Sequence, residues 1–276
     1  MKILFLALSG VRVQNSELME IGLTLPGFVE RSKVIASLPS LGLLTLAAHT
    51  PAEHECVYRD LDEFEEADVI RIEREEFDLV AISALTARIS EGYRLADQLR
   101  AGGISVVLGG LHVTALPFEA AEHGDAVVVG EGEGVWPELL EDFEAGHLQK
   151  LYSSFSPGRR PFHLSESNVP RYDLLDIERY NRLTLQTARG CPLDCEFCAA
   201  SRTISRFKKK PIALVKRDLE AILEVWDRPF LELADDNTFI DKRWARQLVA
   251  LFKGYPLKWF TETDISVADD DELLEL

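Results

Sequence analysis

Thr187-Ala188-Arg189-Gly190-Cys191-Pro192-Leu193-Asp194-Cys195-Glu196-Phe197-Cys198 holds three of the chain's four cysteines within eight residues. Thiols that close together point to a metal, and thiolate donors suit zinc or an iron–sulfur cluster. Structural zinc is usually closed by four protein ligands, often as two separated pairs. No second pair exists here: Cys56 lies far upstream, and the nearest histidine, His163, stands across a proline-bearing segment. A zinc knuckle or a redox-sensitive cysteine cluster stays open as a reading of these residues alone. A cubane cluster held by three cysteines would instead leave one iron free to bind a small molecule.

Working outward, residues 183–187 read as a strand that delivers the cysteine loop at its carboxyl end, where (β/α) barrels place their chemistry. Residues 214–226 follow as a helix with apolar positions three and four apart, and residues 230–233 as a second strand ending in Asp235-Asp236-Asn237. Asp241 suits the N-cap of a helix reaching Phe252, residues 259–263 suit a third strand, and another helix starts at Asp271. The basic run Arg202, Arg206, Lys208, Lys209 and Lys210 directly after the cysteines reads as a solvated turn, with contact to a carboxylate or phosphate as the alternative.

The first half has a different texture. Residues 2–8 are a continuous apolar run, as expected of a strand buried on both faces of a parallel sheet. Beyond a polar, glycine-bearing stretch, strands at 55–59, 77–83, 104–108 and 125–129 alternate with helices at 41–49, 89–100, 118–123 and 136–143. That alternation predicts a doubly wound, Rossmann-like α/β domain with its ligand outside the carboxyl ends of the strands. Residues 153–172 carry Pro157, Pro161 and Pro170 without a sustained period, which marks a boundary. The expected organisation is therefore a first domain at 1–150, a linker at 151–180 and a second domain at 181–276.

With 276 residues, the chain can build two cores, and its formal net charge of −17 argues against a nucleic-acid backbone as partner. Small molecules fit better. No apolar run has the length of a membrane span. Three clustered cysteines of four are no disulfide framework and suit a reducing cytoplasm. Cys56, within the apolar alternation of a strand, suits a buried structural thiol.

The C-x3-C-x2-C spacing, with Phe197 before its last cysteine, resembles the radical S-adenosylmethionine (SAM) enzymes. That resemblance implies a 4Fe-4S cluster on Cys191, Cys195 and Cys198 and a SAM molecule chelated by the open iron. It also implies one-electron cleavage to a 5'-deoxyadenosyl radical, an electron donor such as flavodoxin or ferredoxin, and a partial (β/α) barrel. Phe197, Asp235 and Asp236 fall where the family contacts its cofactor, though turn formation alone also favours Asp at the last two positions.

In the first half, Ser83-Ala84-Leu85 and Gly109-Gly110 resemble the Ser-x-Leu and Gly-Gly elements of cobalamin-binding domains. Gly109 to Thr114 and Gly130-Glu131-Gly132-Glu133 look like the cobalamin-dependent branch of the same family. Ser83, Leu85, Gly109, Gly110, His112, Gly130 and Glu131 are the cofactor-binding residues this implies, with His112 equally suited to hydrogen bonding within its own loop. Where cobalamin domains carry Asp-x-His-x-x-Gly, this chain reads Ser37-Leu38-Pro39-Ser40-Leu41-Gly42: Pro39 stands in place of the cobalt-ligating histidine. Base-off cobalamin is then expected.

The resemblance covers nearly the whole chain and implies methylation of an unactivated carbon, with methylcobalamin as methyl donor. Cyclisation, oxidation or rearrangement with the same cofactors, or a non-catalytic cofactor-binding fragment, are the other readings. Only three barrel strands are recognisable before Leu276, so a truncated barrel is expected, with Trp259 and Phe260 on an uncovered edge.

Overall fold

The computed structural model describes residues 1–8, 38–61, 64–198 and 205–276. The opening run forms β1 (Lys2–Leu8), buried from Ile3 onward. Its pleat divides it between two cores, with Ile3, Phe5 and Ala7 on one face and Leu4, Leu6 and Leu8 on the other. A strand with no polar face must lie inside a sheet, and β1 does. The order is β2 (Glu55–Asp60), β1, β3 (Leu79–Ala84), β4 (Ser105–Gly109), β5 (Ala126–Val129) and β6 (Leu151–Ser153), with every neighbouring pair parallel.

The described connections include α1 (Leu41–Ala48), α2 (Glu66–Arg74), α3 (Ile89–Ala101), α4 (Leu111–Ala115), α5 (Pro117–His123) and α6 (Trp136–Glu144). α1 and α6 cover the Phe5 face, where the Phe5 and Trp136 rings lie 5.7 Å apart, and the other helices cover the Leu4 face. Helices on both faces of a parallel sheet confirm the expected α/β class. α2 is an addition. Its signal was present in Asp68, whose carboxylate accepts the Glu65 amide at 3.0 Å, and in the buried pair Val69 and Ile72.

The second half contains β7 (Leu183–Leu185), β8 (Ala188–Arg189), β9 (Lys208–Lys209), α7 (Ile212–Val225), β10 (Phe230–Leu233), α8 (Lys242–Phe252), β11 (Lys258–Phe260) and α9 (Asp271–Glu275). β7, β10 and β11 form a parallel sheet in the order β11-β10-β7. One hydrophobic core runs through both halves, from Phe5 and Trp136 to Leu183, Leu231 and Leu248. The segment 151–180 packs against this core. β6 extends the first sheet, Phe162, Leu164 and Tyr172 are buried, and the Tyr172 hydroxyl donates to the Thr184 carbonyl at 2.9 Å.

One of two expectations about this half needs correction. Phe260 stays exposed on the edge strand β11, as expected, though its ring has neighbours: Phe230 lies 5.4 Å and the Arg182 guanidinium 5.2 Å away, and Trp259 packs edge-on against Phe252 at 5.3 Å. The lysine run is no solvated turn, because β9 pairs antiparallel with β8 and each lysine meets a carboxylate. Lys208 pairs with Glu131, Lys209 with Asp241 and the buried Lys210 with buried Asp218. Arg202 and Ser37 lie outside the described residues.

Candidate functional site

Parallel strands leave their carboxyl ends along one edge, and loops leaving that edge must turn sharply. Ser83 at the end of β3, Gly109 and Gly110 at the end of β4, and Gly130 and Glu131 after β5 line one cavity of about 390 Å³. Gly42, in the first turn of α1, opens onto it with nothing within 4 Å of where a Cβ would stand. Gly110 has φ +105°, and a Cβ there would come 2.9 Å from the Ser83 Oγ. A left-handed backbone pressed against a hydroxyl leaves no room for a side chain at this position. The volume lies in the range of small-ligand pockets. A corrinoid would enter with one end only, and a cradle of missing side chains fits such an approach.

The second half supplies the facing wall through Gln186, Arg189, Gly190, Ala234 and Asp236. β7 ends, the chain bends, and β8 leads into the cysteine loop. Asp235 makes this bend: its carboxylate accepts the amides of Thr187 and Ala188, both at 2.8 Å, and the hydroxyls of Thr187 and Thr238. Burial pushes the Asp235 carboxyl above the usual carboxylate range, against these four hydrogen bonds. Its oxygens are occupied within the protein, which makes it a support of the loop. Asp236 lines the cavity and accepts the Gly190 amide at 2.8 Å. Gly190 has φ +73°, and a Cβ would meet the Ser205 carbonyl oxygen at 2.6 Å, so the residue before Cys191 has to be glycine.

Arg189 ties the two walls together. Its guanidinium donates to Glu131 at 2.8 Å, to Glu133 at 2.6 Å and to Gln186 at 2.8 Å, and Lys208 completes the group on Glu131. Burial alone would raise the Glu133 carboxyl, yet the Arg189 charge and hydrogen bond hold it below the usual carboxylate range. Two carboxylates and two cations balance, which is the condition for burying them.

Cys191, Cys195 and Cys198 are half-buried thiols. The Cys198 amide donates to the Cys195 carbonyl at 3.1 Å, forming a tight turn. Buried Asn237 directs its amide nitrogen to the Cys191 sulfur at 3.7 Å and to Asp264 at 2.7 Å. Three thiols outside any disulfide form a donor set that fits an iron–sulfur cluster. Among the described residues no three His, Cys, Asp or Glu side chains converge as a metal site.

Of the residues read from the sequence, Ser83, Gly109, Gly110, Gly130, Glu131 and Asp236 meet at the cavity, while Leu85, His112, Phe197 and Asp235 do not line it. His112 is buried in its own loop, with ring nitrogens 3.2 Å from Thr86 Oγ1 and from Glu119 Oε1. Leu85 is exposed, and Phe197 is 92% exposed. Cys56 is half-buried in β2, where burial pushes its thiol up. Pro39 is buried, and among the described residues the cavity lining begins at Leu41. Sequence reasoning missed Arg189, Gly190 and Asn237 as site residues. Gly190 alone left a signal, as a glycine abutting the first cysteine.

The family profile described as B12 binding domain matches residues 31–140. An uncharacterized methyltransferase of Synechocystis sp. is 30% identical over 87% of this chain and 45% of its own length. Bacteriochlorophyllide d C-8(2)-methyltransferase of Chlorobaculum tepidum is 28% identical over 84% of this chain and 52% of its own. The chain thus spans about half the length of these curated relatives. Among solved structures, the cobalamin-dependent SAM radical enzyme OxsB superposes with a TM-score of 0.68 at 14% identity, over 95% of this chain and 38% of that one. No helix among the described residues is long and apolar enough to cross a membrane.

Proposed function

Because the chain belongs to the cobalamin-dependent radical SAM family, we propose that it forms the cofactor-holding part of an enzyme that methylates an unactivated carbon of a small molecule. The observation that carries this reading is the single cavity. The glycine-lined cobalamin side and the wall leading into the cysteine loop face each other across it. Cys191, Cys195 and Cys198 hold a 4Fe-4S cluster, and Ser83, Gly109, Gly110, Gly130 and Glu131 receive cobalamin. When bound, the cluster with SAM supplies radical chemistry and cobalamin supplies the methyl group.

The chain's own residues do the positioning. Asp235 bends the strand, the Gly190–Asp236 hydrogen bond sets the first turn of the loop, and Arg189 holds that turn against Glu131 and Glu133. The buried apolar floor of Ala81, Ile82, Val107 and Val128 keeps water from the inner end of the cavity. Pro39 offers no imidazole, so the chain would hold cobalamin without a histidine ligand from that position. An electron donor such as flavodoxin or ferredoxin and a reducing cytoplasm complete the setting.

Ultraviolet–visible spectra of the anaerobically reconstituted protein, with and without hydroxocobalamin, test the cofactors. A brown protein that also retains corrinoid through gel filtration supports the reading, and a colourless protein holding stoichiometric zinc would overturn it. Product analysis on the full-length enzyme then separates reactions: S-adenosylhomocysteine alongside 5'-deoxyadenosine marks methylation, and 5'-deoxyadenosine alone marks cyclisation, oxidation or rearrangement.

A further inference from the structure

We propose that Arg189 is a positioning residue through which the two cofactor sites sense each other, so that filling the cysteine loop tightens cobalamin binding and the reverse. The inference rests on the functional reading above and deepens it. Arg189 stands two residues before Cys191 and is joined to it only through Gly190, whose amide is itself fixed on Asp236. At its other end the guanidinium is held by Glu131 and Glu133, one and three residues after Gly130. A shift at Cys191 therefore reaches the Gly130 loop through one side chain.

Charge makes this connection costly to break. Glu131 and Glu133 are both buried, and Arg189 with Lys208 neutralises them. If the cysteine loop moves and draws Arg189 away, two buried carboxylates are left to share one lysine, and the Gly130–Glu133 turn has to open to water. A cluster held by the three cysteines would pin the loop that carries Arg189, keep its guanidinium on Glu131 and Glu133, and so keep the Gly130–Glu133 turn closed. By linkage, whatever factor the cluster contributes to cobalamin affinity, cobalamin contributes to the cluster.

The test titrates hydroxocobalamin into the full chain, cluster-loaded and chelator-stripped, and compares the two dissociation constants. The wild type should bind roughly tenfold more tightly when loaded, a typical size for coupling between sites. In Arg189→Gln the ratio should fall to about one, whereas a merely structural defect would weaken both forms equally and leave the ratio intact. If Arg189→Gln does not fold, Glu133→Gln keeps the Arg189–Glu131 pair and should reduce the ratio while leaving the chain folded. A wild type that binds both groups with a ratio of one overturns the joint alone, as does an unchanged ratio in either folded variant. A wild type that binds no cobalamin, or assembles no cluster, overturns the functional reading and the joint with it.

Discussion

The two walls of the cavity are built on opposite principles. The first-half wall is shaped by what is missing: Gly109, Gly110 and Gly130 withhold side chains at the ends of strands anchored in a dry core, and Gly42 does so in the first turn of α1. The second-half wall is shaped by what is bonded, with Asp235, Asp236, Arg189 and Asn237 each fixing one point of the path into the cysteine loop. The first should tolerate loss of polar groups and resist added bulk. The second should tolerate little loss of hydrogen bonding, because its donors are buried.

The largest expected break in that contrast is chemical. Alanine at Cys191, Cys195 or Cys198 should abolish cluster assembly, while Cys56→Ala should leave the iron content unchanged; loss of half or more of the iron in the Cys56 variant would undo the assignment. Next comes the bonded wall. Asp235→Ala leaves two buried amides and two hydroxyls without their acceptor and should cost about 3 kcal/mol, read as a lower urea midpoint. Asp236→Ala removes one acceptor at a more open position and should cost about 1 kcal/mol. Equal losses in the two variants would show that the path is not fixed as described.

The glycine wall gives a smaller effect. Gly110→Ala places a Cβ on a left-handed backbone and should cost about 1–2 kcal/mol while weakening hydroxocobalamin binding. Titration of the variant checks this, and unchanged affinity would remove Gly110 from the site. The smallest effect is a pH dependence at Asp264, which supports Asn237. Hydrogen bonds from Ser266 and Asn237 bring its carboxyl down to about 2 from an ordinary 3.8. A depressed folded-state value means the contribution is in place above about 3.8 and is lost as the pH falls through about 2. The urea midpoints of wild type and Asp264→Asn should therefore differ at pH 7 and converge toward pH 2.

The glycine wall was legible in the sequence because its signals are local. A glycine pair after an apolar run means a turn at a strand's end wherever the strand lies, and the apolar run of β1 already requires two covered faces. The bonded wall was largely illegible. Asp235 and Asp236 are adjacent and chemically identical, yet one faces the β7–β8 bend and the other the cavity, a distinction made by a partner 46 or 48 residues away. Likewise Lys208 and Lys210 looked solvated because their carboxylates, Glu131 and Asp218, approach only in the folded chain. His112 left two readings open in the sequence, a cofactor contact or a hydrogen bond within its own loop, and Thr86 and Glu119 beside its ring nitrogens match the second.

The central claim is that one cavity serves both groups, and electron paramagnetic resonance of the full chain loaded with Co(II) cobalamin and a reduced cluster addresses it most directly. The account predicts two signals that broaden or split each other through spin–spin coupling, with no superhyperfine structure from an axial nitrogen on cobalt. Two bound groups whose spectra add without interaction would contradict it.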